Sequence, residues 1–158
     1  MESVTLKKDG FQFSRLAKEK LITCIRFVCM FLFLYTAYAK IIDHDHFLNG
    51  LSKVHIISGF AVYISWLVPL AEIITSILLL IPQFARWGLY AFTGLMTLFT
   101  GYILSVLLWE KELPCSCGGA IEKLSWSQHI WFNLAFISIA IAALWLSNSI
   151  YVFKKQKK

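Results

Sequence analysis

Two cysteines one residue apart, Cys115 and Cys117, stand in the stretch Pro114-Cys115-Ser116-Cys117-Gly118-Gly119. Thiols this close can close only a small, strained ring, and strained disulfides are the readily exchanged kind. The proline and the two glycines let the chain bend sharply and admit close approach of another backbone. Ser125, with Gln128 three residues on, reads as a capping box that opens a helix. The positive end of that helix would face the cysteines and favour a thiolate. His129, in its first turn, is placed to accept a proton. Cys115 and Cys117 are therefore the candidate redox pair. Two other readings stay open at this point, a static disulfide that stiffens the loop and a metal site.

The histidines bear on the metal reading. His44, His46 and His55 share one stretch, and Asp43-His44-Asp45-His46 alternates residue types that bind copper or zinc. No two histidines show the i, i+4 spacing of a helical metal site, so His44 and His46 are the alternative ligands and no metal is the main expectation. Cys24 and Cys29 lie five apart inside an apolar run and read as structural small hydrophobes.

These residues need a frame, and composition supplies it. Of 158 residues, 58% are hydrophobic and only 15% are charged, with a mean hydropathy of +0.67. A soluble domain is nearer half apolar and a quarter charged. The excess points to a lipid bilayer. The net charge of +6 forms no nucleic-acid stripe, because the basic residues cluster ahead of the first apolar run and after the last. Linkers rich in Gly or Ser, repeats and low-complexity tracts are absent from the sequence.

Four runs are long enough to cross, at about 21–39, 60–81, 87–109 and 126–153, since a crossing helix needs about 20 apolar residues. The expected fold is all-α, an antiparallel four-helix transmembrane bundle. Residues 1–20 form a basic N-terminal segment, 21–153 the membrane domain and 154–158 a basic tail. Positive residues concentrate at the two termini and at Arg86, so both termini are expected in the cytoplasm and Cys115 and Cys117 on the outer, oxidising side. Ala37-Tyr38-Ala39 has the form of a signal cleavage site, but cleavage there would remove more than the roughly 15–30 residues of such peptides. Arg26 also suits a retained helix better. Gly94 and Gly101 fall on one face of the third run, where small residues permit close helix packing.

Three charges interrupt the apolar runs: Arg26, Lys40 and Glu72. An unpaired charge near mid-membrane costs at least about 2.5–3.5 kcal/mol. Taking the run ends as membrane planes, antiparallel helices bring Arg26 and Glu72 within about 6–7 Å in depth at 1.5 Å per residue. Lys40 lies about 14 Å from Glu72 on that reckoning and is expected to snorkel to the outer interface. The Arg26–Glu72 pair reads either as a structural lock or as the lining of a polar pocket or proton relay. Pro69 should bend the second helix and free a carbonyl near the carboxylate.

Arg26 with Phe27 through Lys40, Pro69-Leu70-Ala71-Glu72, and Cys115-Ser116-Cys117 together resemble the DoxX-like membrane proteins, and more closely their MauE (methylamine utilisation) branch. The resemblance runs from Arg26 to the fourth span. It implies a four-helix protein of the bacterial inner membrane acting in thiol–disulfide or electron transfer during maturation of exported proteins. It further implies a periplasmic thioredoxin-like partner, Cys115 and Cys117 as the exchanging pair, and Arg26, Lys40 and Glu72 as the intramembrane polar set. A membrane quinone is the candidate electron acceptor, although no motif requires a cofactor. Gly118 stands where branch members often carry an aromatic residue. Two alternatives from other classes are a non-catalytic docking subunit with a structural disulfide, and a metal-handling membrane protein.

Overall fold

In hydrocarbon no water is available to the backbone, so long apolar runs must bond their own amides and become helices. The structure, a computed structural model, describes residues 15–54, 57–109 and 126–156. Five helices follow in order: α1 (Arg15–Ile42), α2 (His44–Ser52), α3 (Ala61–Leu80), α4 (Ala85–Trp109) and α5 (Trp126–Gln156). Four of them, all but α2, are long and apolar enough to cross a membrane. The chain is an all-α polytopic membrane bundle, with α3 packed along α1, and α4 between α3 and α5. Cys115, Cys117, Ser125 and His55 lie outside the described residues.

The stretch expected as a plain connection between the first two spans is itself folded. It carries the short helix α2 and a 3-10 turn, Ser58–Phe60. Phe47 and Leu51 of α2 pack with Ala61 at the start of α3, and Ile64 and Val68 lean on them. His44 stacks on the Trp66 ring with centroids 4.4 Å apart, and its Nε2 lies 3.1 Å from Ser65 Oγ. These contacts tie α2 to one end of the bundle, called here the α2 end. At the other end α3 stops where Ile81 turns extended, at ψ 116°, as the residue before a proline prefers.

The core sits between these ends. Cys29, Phe33, Leu79, Leu89, Phe92 and Ala143 form one buried cluster, and the Phe33 and Phe92 rings meet at 4.4 Å. Large apolar residues instead cover the outside, as a lipid-facing surface requires: Phe31, Tyr63, Leu108 and Trp145 are exposed. Cys29 belongs to the core, whereas Cys24 is exposed.

The glycines correct one expectation. A Cβ at Gly94 or Gly101 would meet nothing within 4 Å, so among the described residues no helix closes on that face. The close approach is at Gly88, where a Cβ would fall 2.8 Å from Leu79 N and 2.9 Å from Leu78 C. Those are backbone atoms and cannot swing aside, so α3 and α4 would have to separate. Gly88→Ala is expected to cost about 1–3 kcal/mol through overpacking. Gly94→Ala, facing open space, is expected within about 0.5 kcal/mol of the parent. Unfolding of both variants in detergent checks the difference.

Candidate functional site: a polar cavity between the helices

Buried polar side chains line the inside of the bundle from the α2 end past its middle. On α3 the inward face repeats every three to four residues through Ser65, Pro69, Glu72 and Ser76, and all four are buried. Glu72 is only 1% exposed. Its Oε1 accepts from Lys40 Nζ at 2.8 Å and from the Thr36 hydroxyl at 3.1 Å. Oε2 has no hydrogen-bond partner among the described residues. The Lys40 ammonium also stands 5.8 Å from the Phe47 ring centroid and 5.7 Å from that of Phe99, within reach of a cation–π attraction.

This pairing replaces the one expected from sequence. Lys40, not Arg26, is the partner of Glu72, and Lys40 does not reach out to the interface. Side-chain direction explains the exchange. Every Cα–Cβ bond on a helix tilts toward the helix N-terminus. In the antiparallel pair α1 and α3, Lys40 therefore leans back toward Thr36, while Glu72 leans toward the α2 end, and the two converge. Arg26 leans in the same direction as Lys40 but starts nearer the α1 N-terminus, so its lean carries it away from Glu72. It donates from Nε to Leu79 O at 3.1 Å, and from Nη2 to Leu79 O at 2.6 Å and Leu80 O at 3.3 Å. The last carbonyls of a helix have no intrahelical donor, so Arg26 caps the C-terminus of α3 and meets the negative end of its dipole. The carbonyl freed by Pro69 is that of Ser65, seven residues from Glu72 and so about 10 Å along the axis. It does not adjoin the carboxylate.

Beside the ion pair lies a cavity of about 490 Å³. Its walls come from all five helices and are mainly apolar and aromatic, with Phe33, Phe47, Phe99 and Phe132 among them. The polar groups on its walls are Thr36, Lys40, Glu72, Tyr102, His129 and Asn133. His129 and Asn133, one turn apart on α5, are both buried. Thr36, Tyr102 and Asn133 were not singled out in the sequence. The available signal was the i, i+4 recurrence of polar residues inside apolar runs, Thr36 with Lys40 and His129 with Asn133, which puts each pair on one helix face.

The remaining candidates fall elsewhere. His44 is engaged with Ser65 and Trp66, and its Nδ1 lies 4.0 Å from Asp45 Oδ1. His46 is exposed. Among the described residues, no group of three or more His, Cys, Asp or Glu is arranged to hold a metal ion. The segment 110–125, which carries Cys115 and Cys117, joins the end of α4 to the start of α5. Those two helix ends belong to the α2 end of the bundle, because α4 runs back antiparallel to α3 and α5 sets out from there. His129 thus stands three residues into α5 and lines the cavity.

Comparison with known proteins adds one finding. A family model described as methylamine utilisation protein MauE matches residues 18–146, which takes in Arg26, Lys40, Glu72, the cysteine pair and His129. No curated protein and no solved structure matches the chain.

Proposed function

The chain belongs to the MauE family of methylamine utilisation proteins, and from that premise we propose that it is a membrane-embedded thiol–disulfide component serving exported proteins. Cys115 and Cys117 are the exchanging pair. One thiolate attacks a disulfide of a thioredoxin-like partner, forming a mixed disulfide as the partner's S–S bond breaks. The second cysteine then attacks the mixed disulfide, leaving Cys115–Cys117 oxidised and the partner as a dithiol. Two electrons and two protons have then passed to the partner, and the reverse sequence returns them. His129 accepts the proton of the attacking thiol.

The observation that carries this reading is the shared end of the bundle. α4 ends and α5 begins at the α2 end, and His129 and Asn133, in the first turns of α5, line one cavity with Lys40 and Glu72, which supports a polar function at that end of the bundle. Arg86 lies at the opposite end, where both described termini also point. By the positive-inside rule that end faces the cytoplasm, with the cysteines on the periplasmic side of a bacterial inner membrane.

Mass-tagged maleimide applied to native membranes, with and without prior reduction, tests the proposal. The expected result is that Cys115 and Cys117 are protected in oxidising growth and gain two tags on reduction. In a Cys24→Ala/Cys29→Ala background, which removes the other two thiols, two tags without reduction under every growth condition would rule out the cycle.

A further inference from the structure

The wall of the cavity reaches the lipid. Leu67 of α3 and Leu98 of α4 both line it, yet they are 62% and 69% exposed on the outer surface of the bundle. The wall of the cavity between α3 and α4 is thus made by side chains that also face the surrounding hydrocarbon, so a molecule dissolved in the bilayer has a short route to it.

Inside, the cavity holds an unmet acceptor. A carboxylate has about four lone-pair sites and, as half of an ion pair, accepts only. Glu72 Oε1 is served by Lys40 and Thr36, while the buried Oε2 has no partner among the described residues. A buried oxygen of this kind asks for a specific explanation. The cavity volume of about 490 Å³ lies within the roughly 300–1,000 Å³ typical of small-molecule sites. Its aromatic walls suit a flat ring, and His129 and Asn133 on α5 supply a second polar pole.

We propose that this cavity binds a lipid-soluble hydroquinone in its reduced form, entering between Leu67 and Leu98 and donating one hydroxyl to Glu72 Oε2. The ring lies against Phe99 and Phe132, the second hydroxyl meets the α5 pole, and the alkyl chain trails into the bilayer. The oxidised quinone carries no hydroxyl donor and does not make the Glu72 contact. The proposal concerns binding alone, so it stands or falls independently of the chemistry of Cys115 and Cys117.

The test uses the full chain in phosphatidylcholine nanodiscs, with bare nanodiscs as the reference for partitioning. Three probes are titrated: a para-hydroquinone with a decyl chain, its di-O-methyl ether, and decanol. The expected result is saturable one-to-one binding of the hydroquinone. A hydrogen bond to a charged group corresponds to about ten- to hundredfold in affinity, so the ether should bind weaker by that factor. Decanol, lacking the ring, should not saturate. Ala71→Phe puts a ring into the cavity from its wall and should abolish hydroquinone binding, and Glu72→Gln should weaken it toward the level of the ether. Equal binding of the ether, saturable binding of decanol at hydroquinone affinity, or unchanged binding to Ala71→Phe in a folded protein would each overturn the proposal.

Discussion

Lys40→Met is expected to be the most damaging single substitution in the bundle, costing about 3–5 kcal/mol, the range for breaking a buried ion pair from one side. It leaves the Glu72 carboxylate, 1% exposed, with the Thr36 hydroxyl alone at Oε1 and nothing at Oε2. Glu72→Leu is expected to cost less. The Lys40 side chain is 13% exposed, rests beside the Phe47 and Phe99 rings, and has a flexible stem that can carry its charge toward the interface. The double variant Lys40→Met/Glu72→Leu should recover most of the loss, since an apolar pair of similar volume often matches a buried ion pair. Arg26 supplies the control. Arg26→Met removes the donor to Leu79 O and Leu80 O, worth about 1–3 kcal/mol for a charged donor and the acceptors it leaves. Because Arg26 caps α3 and makes no contact with Glu72, its effect should add to that of Lys40→Met within about 0.5 kcal/mol. Denaturant titration in mixed micelles reads these variants and the Arg26→Met/Lys40→Met double. Strong non-additivity between Arg26→Met and Lys40→Met would return Arg26 to the Glu72 network.

The three intramembrane charges show what the sequence conveyed and what it withheld. Their depth in apolar runs marked Arg26 and Glu72 as needing partners and left Lys40 to the interface, whereas each of the three has a partner inside the bundle. Which partner served which charge depended on two things that run lengths do not contain. One is register: α1 begins at Arg15, ahead of the apolar run that opens at Leu21, so the run ends are not level. The other is the lean of side chains along antiparallel helices, which closes the gap between Lys40 and Glu72 and widens it for Arg26. The all-helical, four-span architecture was legible because hydrocarbon leaves the backbone few options. α2 was not, because nine residues of mixed polarity carry no span signal and its helix rests on tertiary contacts, Phe47 and Leu51 on Ala61 and His44 on Trp66.

Gly94 and Gly101 make the same point from the opposite side. Their spacing on one helix face suggested a packing seam, yet the seam of the bundle runs through Gly88 at the α3–α4 turn. A small residue permits close approach but does not cause it. The cavity was foreshadowed only in part. Glu72 and His129 were singled out separately, and the fold brings them to the walls of one chamber, together with Thr36, Tyr102 and Asn133. A chamber walled by five helices is space that no single run records.

The central claim is that Cys115 and Cys117 exchange with a partner and do not merely hold a loop. In an exchanging pair, one thiol forms the mixed disulfide and the other resolves it, so removing the resolving thiol should arrest the reaction midway. Cys115→Ala and Cys117→Ala, each expressed in native membranes and quenched in acid, separate the two roles. The account predicts that one of the two single variants accumulates a heavier species that collapses to the parent mass on reduction. The parent chain and the Cys115→Ala/Cys117→Ala double variant should show none. Absence of that species from both single variants, with the exported partner's own disulfides formed as usual, would contradict the account.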